Sequence, residues 1–378
     1  MPEGGLHAGN AALAVRRASW FSGRAGMAST DLLTNLLRDV SRSFYLTLRV
    51  LPAPVRRQIG LAYLLARATD TIADTALVPV ERRLRALDEL RGRIQGSRSR
   101  ALNLDQLAKA QPALPGGGLH AEQVLLERIE EAIAALGQFN PQDQRLIRAV
   151  LETITGGQEL DLRRFEVGEE HPTSNIQHPT SKEGALRSLR TMEELDDYTY
   201  RVAGCVGEFW TKICRANLFP DHRFADYAGF VGDGVRFGKG LQLVNILRDL
   251  PRDLRQGRCY IPSEELSKIG LRAEDLLKPE NEANFRPLYD SLLALASDHL
   301  AAGWRYTCTN PTNQRRVRLA CAWPILIGAE TLRLLKNGRV LEPTTRIKVP
   351  KARVRSILLG SVVKLPFRGS WERQFKPA

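Results

Sequence analysis

An all-α fold is what this sequence predicts, and three observations carry the expectation. Apolar residues recur at three- and four-residue spacing through nine separate stretches. No convincing run of alternating β-branched residues interrupts them. Hydrophobic residues make up 43% of the 378, which gives each stripe a core to face and excludes global disorder.

Residues 1–27 read as a disordered extension. Gly4, Gly5, Gly9, Gly23 and Gly26 break any helix there, and Glu3 is the one acid before residue 27. Arg16, Arg17 and Arg24 with so few acids resemble a transit peptide. An over-extended start is the simpler reading. Met27 precedes Ser29, Thr30 and Asp31, an N-cap cluster ahead of the first stripe at 32–37. Further stripes follow at 59–72, 80–94, 121–136 and 146–154, then at 189–206, 237–254, 288–304 and 318–335. Residues 96–120, with Pro115 ahead of three glycines, read as a loop, and so do residues 169–183. The second loop repeats His-Pro-Thr-Ser at 171–174 and 178–181. Pro172 and Pro179 keep His171 and His178 off a common helical face, so a surface insertion is favoured over a metal pair. No period of 20–50 residues marks a solenoid. The expectation is one domain over 28–365 and a basic tail over 366–378.

Composition removes several classes. The five cysteines are odd in number and none has C-x-x-C spacing, which argues against a disulfide scaffold or zinc ribbon and for a reducing, cytoplasmic setting. The longest apolar run, 319–327, is too short to span a membrane. Net charge is +13, and from Arg315 onward 15 Lys or Arg stand against 3 Glu, so the surplus is a C-terminal feature. No zinc finger, basic zipper or interleaved aromatics accompany it, so nucleic acid is not expected as a partner.

Two stretches carry chemistry. At about 100° per residue, Arg67, Asp70 and Asp74 all fall within about 40° of Tyr63. Gln242, Asn245, Asp249 and Asp253 fall within about 80° on a second helix, with Arg248 beside them and Gly257, Arg258, Tyr260 and Pro262 ending the element. Polar stripes on otherwise apolar helices are costly unless partnered. Carboxylate oxygens are hard ligands that suit Mg²⁺ shared with phosphate oxygens. One Asp-x-x-x-Asp pair is readily a surface salt-bridge pair; two, each on an apolar helix, favour facing metal sites. Gly232, Gly234 and Gly238 approximate a dinucleotide-binding fingerprint, but Phe237 holds the sixth position and no strand precedes them. Close helix approach at Gly238 and Gly240 is the better reading.

With these motifs in order, the sequence resembles the squalene/phytoene synthases, head-to-head prenyl transferases of the isoprenoid synthase fold, a helical bundle around a central cavity. The resemblance runs from about residue 32 to 358. It includes Ser41, Arg42, Ser43 and Phe44, then Asp70 to Asp74, then residues 198–207, then Gln242 to Asp249. It implies that Asp70, Asp74, Asn245, Asp249 and Asp253 bind Mg²⁺, with Mn²⁺ as the alternative ion. It implies that Arg42, Arg67, Gln242, Asn245, Arg248 and Arg258 grip substrate diphosphate, with Tyr63 beside them. Tyr198 occupies the tyrosine position implicated in proton removal. An ordinary phenol is a poor base, with a pKa of about 10, so released diphosphate is the alternative acceptor, with Tyr198 relaying or orienting.

The activity so implied joins two farnesyl diphosphates to presqualene diphosphate and reduces that to squalene with NADPH. The alternatives are phytoene formation from C20 substrates without reductant, or a stop at presqualene diphosphate. Residues 198–210 look more like the squalene-forming branch. Arg346, Lys348 and Lys351 lie where squalene-forming relatives hold NADPH phosphates, and Arg315, Arg316 and Arg318 are further candidates. Two departures stand out: Thr199 replaces the usual Cys, Ser, Ala or Met, and Ala320 replaces a Phe of squalene-forming eukaryotic relatives. The latter either removes a cation-stabilising aromatic face or moves it to Trp323. The membrane anchor of eukaryotic relatives has no counterpart in these residues. Instead Ile357, Leu358, Leu359, Val362, Val363, Leu365, Phe367 and Trp371 alternate with basic residues over 353–376. That pattern reads as peripheral membrane contact or, equally, with 357–363 as a last core helix. A monomer is expected.

Overall fold

The computed structural model describes residues 32–41, 44–111, 118–167, 186–342 and 347–377. The expectations for 1–27, for the His-Pro-Thr-Ser loop, for Arg42 and for Arg346 lie outside these residues. The main helices are α1 (Phe44–Val50), α2 (Ala53–Asp74), α3 (Val80–Gln95), α4 (Pro141–Leu162), α5 (Met192–Thr199) and α6 (Cys205–Leu218). They continue with α7 (Tyr227–Arg255), α8 (Glu282–Thr309), α9 (Arg315–Lys336), α10 (Lys351–Lys364) and α11 (Arg368–Glu372). Buried leucines and isoleucines of α2, α3, α4 and α6 form one core. A second core gathers α7, α8 and α9.

α2 begins after Pro52, with Pro54 in its first turn, where a missing N–H breaks no ladder bond. Ile59, Leu61, Leu64, Leu65, Ala68 and Ile72 are buried along it. α7 is capped by Asp226, whose carboxylate accepts from the Gly229 N–H at 2.8 Å. Its glycines belong to a helix, not a cofactor loop. A Cβ added at Gly207 would fall 1.8 Å from the Gly234 oxygen, and one at Gly238 would fall 2.1 Å from the Ala203 oxygen. The backbones of α6 and α7 therefore touch.

The described residues add detail to four expectations. The stripe at 189–206 is helical from Met192 onward, with a wide π-turn over Tyr200–Gly204 between α5 and α6, which apolar periodicity cannot register. The stretch 96–120 holds helices at Asp105–Lys109 and from Gly118, the second outside its turn-rich centre. Among the described residues the strands are one parallel pair, β1 (Arg187–Ser188) and β2 (Arg258–Cys259), too short to show a two-residue period. Gly257, with φ of 79°, supplies the turn out of α7 that makes the pairing reachable. Last, the basic tail expected over 366–378 packs against the rest of the chain at Trp371 and Glu372. Trp371 is fully buried, its ring stacked 5.4 Å from Trp304, and Trp304 Nε1 donates to the Glu372 carbonyl at 2.9 Å.

Candidate active site

α2 and α7 bring their C-terminal turns to one cavity of about 1200 Å³. Asp70 and Asp74 line it from α2, and Asn245, Asp249 and Asp253 from α7, with Tyr63, Arg67, Tyr198, Gln242, Arg248 and Arg258 on the same wall. α7 lines it from Phe237 to Asp253, a length of roughly 24 Å at 1.5 Å per residue. Its carboxylates lie at one end of that run, and Phe237 and Leu241 at the other. Lys348 and Lys351 are exposed and are not on the lining.

Arginines hold the carboxylates apart. Arg67 donates to Asp70 at 2.5 Å and to the buried Glu122. Arg248 makes two bonds to Asp249, at 2.9 and 2.6 Å. Arg252 reaches Asp253 at 3.2 Å. Arg258 donates to Glu166 at 2.9 Å, and Glu166 also accepts from Arg83. These arginines do not fully compensate the acids. Burial and the neighbouring Asp74 push the Asp70 carboxyl up. Burial pushes Asp74 up against the pull of Arg258 and Arg67. Burial pushes Asp253 up to about 6 against Arg252. A cavity whose acids resist ionising because they are buried together is short of positive charge. Hard divalent cations fit that donor set, and the five residues expected to bind Mg²⁺ fit the group. Among the described residues no three acidic, His or Cys side chains converge on one point.

Tyr198 sits deeper. Gln242 Nε2 approaches its hydroxyl at 3.5 Å, and its ring stacks on Tyr260 at 4.6 Å. The Tyr260 hydroxyl donates to Asp161 Oδ2 at 2.9 Å, while Asp161 Oδ1 is buried without a partner. Burial raises Asp161 to about 6 and raises Tyr198 well above an ordinary phenol.

Sequence does not single out the lining residues Asp161, Glu166, Phe165, Trp210 and Tyr306, nor Glu122, the buried partner of Arg67 behind the lining. Two readings are corrected. Trp323 does not line the cavity; it points away and donates from Nε1 to Ser361 Oγ at 2.9 Å. Aromatic faces come instead from Phe44, Phe165, Trp210, Phe237 and Tyr306. Arg318 is no ligand for a reductant. It is buried, lies 5.3 Å over the Trp371 ring and bonds the Thr307 carbonyl.

A helical bundle with aspartate-bearing helices on one deep, partly aromatic cavity defines a class of protein that takes a polyanionic head and a long apolar tail. The chain belongs to the squalene/phytoene synthase family, whose sequence model matches residues 37–353. It is 28% identical to the presqualene diphosphate synthase of Rhodopseudomonas palustris, over 84% of this chain and 91% of that one. It is 25% identical to a squalene synthase of Saccharomyces cerevisiae, over 83% of this chain. The chain spans 63% of the yeast enzyme's length and half that of a bifunctional lycopene cyclase/phytoene synthase of Pyrenophora tritici-repentis, to which it is 27% identical over 87% of its own length. The fold is that of TcSQS in complex with the ligand E5700, with a TM-score of 0.69 at 22% identity over 88% of this chain and 86% of that one.

Proposed function

We propose that the protein condenses two farnesyl diphosphates head to head to presqualene diphosphate and reduces that to squalene with NADPH. The observation that carries the reading is the meeting of Asp70 and Asp74 with Asn245, Asp249 and Asp253 on one cavity that also holds Tyr198. Bound Mg²⁺ would supply Lewis-acid stabilisation of departing diphosphate. Arg67, Arg248 and Arg258 orient the two diphosphates. Phe237, Trp210 and Tyr306 exclude water from the cationic carbons and offer them π-faces.

Ring closure to the cyclopropane breaks one C–H bond, and its electron pair forms the new C–C bond. The proton passes to the Tyr198 oxygen as Tyr198 hands its own to Tyr260 and Tyr260 hands its own to Asp161. No free phenolate is needed, which agrees with a phenol whose pKa burial has pushed up. The carboxylate at the end of the chain already accepts from Tyr260.

A second reading, a stop at presqualene diphosphate, is favoured by the position of Lys348 and Lys351 off the cavity lining. The deciding experiment incubates the protein with Mg²⁺ and farnesyl or geranylgeranyl diphosphate, with and without NADPH, and identifies products by mass spectrometry. Squalene only with NADPH supports the first reading. Presqualene diphosphate in both arms supports the second. Phytoene from the C20 substrate overturns both.

A further inference from the structure

The outer face of α10 serves nothing in the cavity. The inner face packs on α9: Ser361 is buried and accepts from Trp323, and Ile357, Leu358 and Leu365 are half-buried. With Trp371 turned into the core, these are not the residues an interface would meet. The outer face carries Leu359, Val362 and Val363, which are 69%, 49% and 68% exposed. By helical arithmetic they lie within about 100° of one another. Phe367 follows at 63% exposed, where its N–H donates to the Lys364 carbonyl and turns the chain. Nine large hydrophobic residues are strongly exposed among the described residues, and four of them fall within 359–367. Single exposed apolar side chains need no explanation, but a cluster does.

The rim is basic. Residues 351–376 carry seven Lys or Arg and one acid, Glu372, which is already bonded to Arg368 at 2.9 Å. Arg353 is tied inward to Glu330 at 3.2 Å. Lys351, Arg355 and Lys364 are exposed on the same helix. We propose that this face of α10, continued by Phe367, docks on an anionic lipid surface. Leu359, Val363 and Phe367 enter the headgroup–acyl boundary, and Lys351, Arg355 and Lys364 meet lipid phosphates. A second copy of the chain is the poorer occupant, because two such faces would oppose like charges. A lone surface helix is convex and offers no groove for a peptide. The inference does not depend on which product the cavity makes.

Vesicle flotation of the full chain without substrate tests it. The expected result is binding to phosphatidylcholine vesicles containing phosphatidylglycerol about tenfold stronger than to phosphatidylcholine alone. Leu359→Ser/Val363→Ser/Phe367→Ser should weaken the first at least about tenfold with the thermal midpoint unchanged. Arg355→Gln/Lys364→Gln should erase the preference for the anionic lipid. Wild type that stays unbound, or floats no better than the triple variant, overturns the proposal. So does a wild-type dimer that the triple variant converts to monomer while flotation is unaffected, which would make the second copy the occupant.

Discussion

The Tyr289 hydroxyl donates to the carbonyl of Leu247 at 3.0 Å, across the gap between α8 and α7. That carbonyl is orphaned by Pro251, four residues on, which has no N–H to give it. Pro251 lies between Asp249 and Asp253, so the phenol stabilises the helix where the carboxylates are mounted. Tyr289→Phe should cost about 2 kcal/mol by leaving a buried carbonyl unbonded. Urea unfolding checks this: the midpoint should fall with an unchanged slope.

Asp70→Asn and Asp249→Asn should each lower presqualene diphosphate formation roughly a thousandfold, the scale of losing one electrostatic contact to a transition state. Neither should unfold the protein, because both remove charge from a crowded acidic cavity. Product quantification beside circular dichroism checks both halves.

Tyr260→Phe should cut kcat for the first half-reaction by about a hundredfold with little change in KM, the pattern of a lost proton-transfer partner. Single-turnover assays with farnesyl diphosphate read this out. An unchanged kcat would assign the proton to released diphosphate.

Stability should depend on pH in an unusual direction. Asp161 and Asp253 have folded-state pKa values of about 6, above the ~3.9 of an unfolded aspartate. Between those values the folded protein binds more protons than the unfolded chain, so stability falls as pH rises from about 4 to 6. Above that window the penalty is complete. The metal-free protein should therefore melt higher at pH 5 than at pH 7.5. Asp161→Asn should raise the melting temperature at pH 7.5 and flatten the dependence.

The helices and both aspartate pairs were legible because each is a local periodic pattern. Asp70 and Asp74 advertise a shared face within one helical turn. What stayed hidden depends on distant partners: Glu122 lies 55 positions from Arg67, and Tyr260 lies 99 from Asp161. No window of sequence contains such pairs. Trp323 was misplaced for a local reason. Three residues beyond Ala320, it is turned about 60° off Ala320 and further still from Cys321 and Pro324, and those three are the ones that line the cavity. Trp371 stands in the sequence among the apolar residues of a membrane-contact pattern, yet its ring meets Trp304 and Arg318.

The contact between Gly207 and Gly234 acts as a fixed stop. With no side chain to trim at either position, α6 and α7 cannot be drawn closer, and any side chain would force them apart. The approach of the two helices at that point is thus set by backbone. A change in the accepted isoprenoid length has to come from lining side chains elsewhere, among them Ala320, Cys321 and Pro324 on α9. Bulk added at Ala320 is one adjustment that should shorten the accepted chain while the spacing at Gly207 stays as it is.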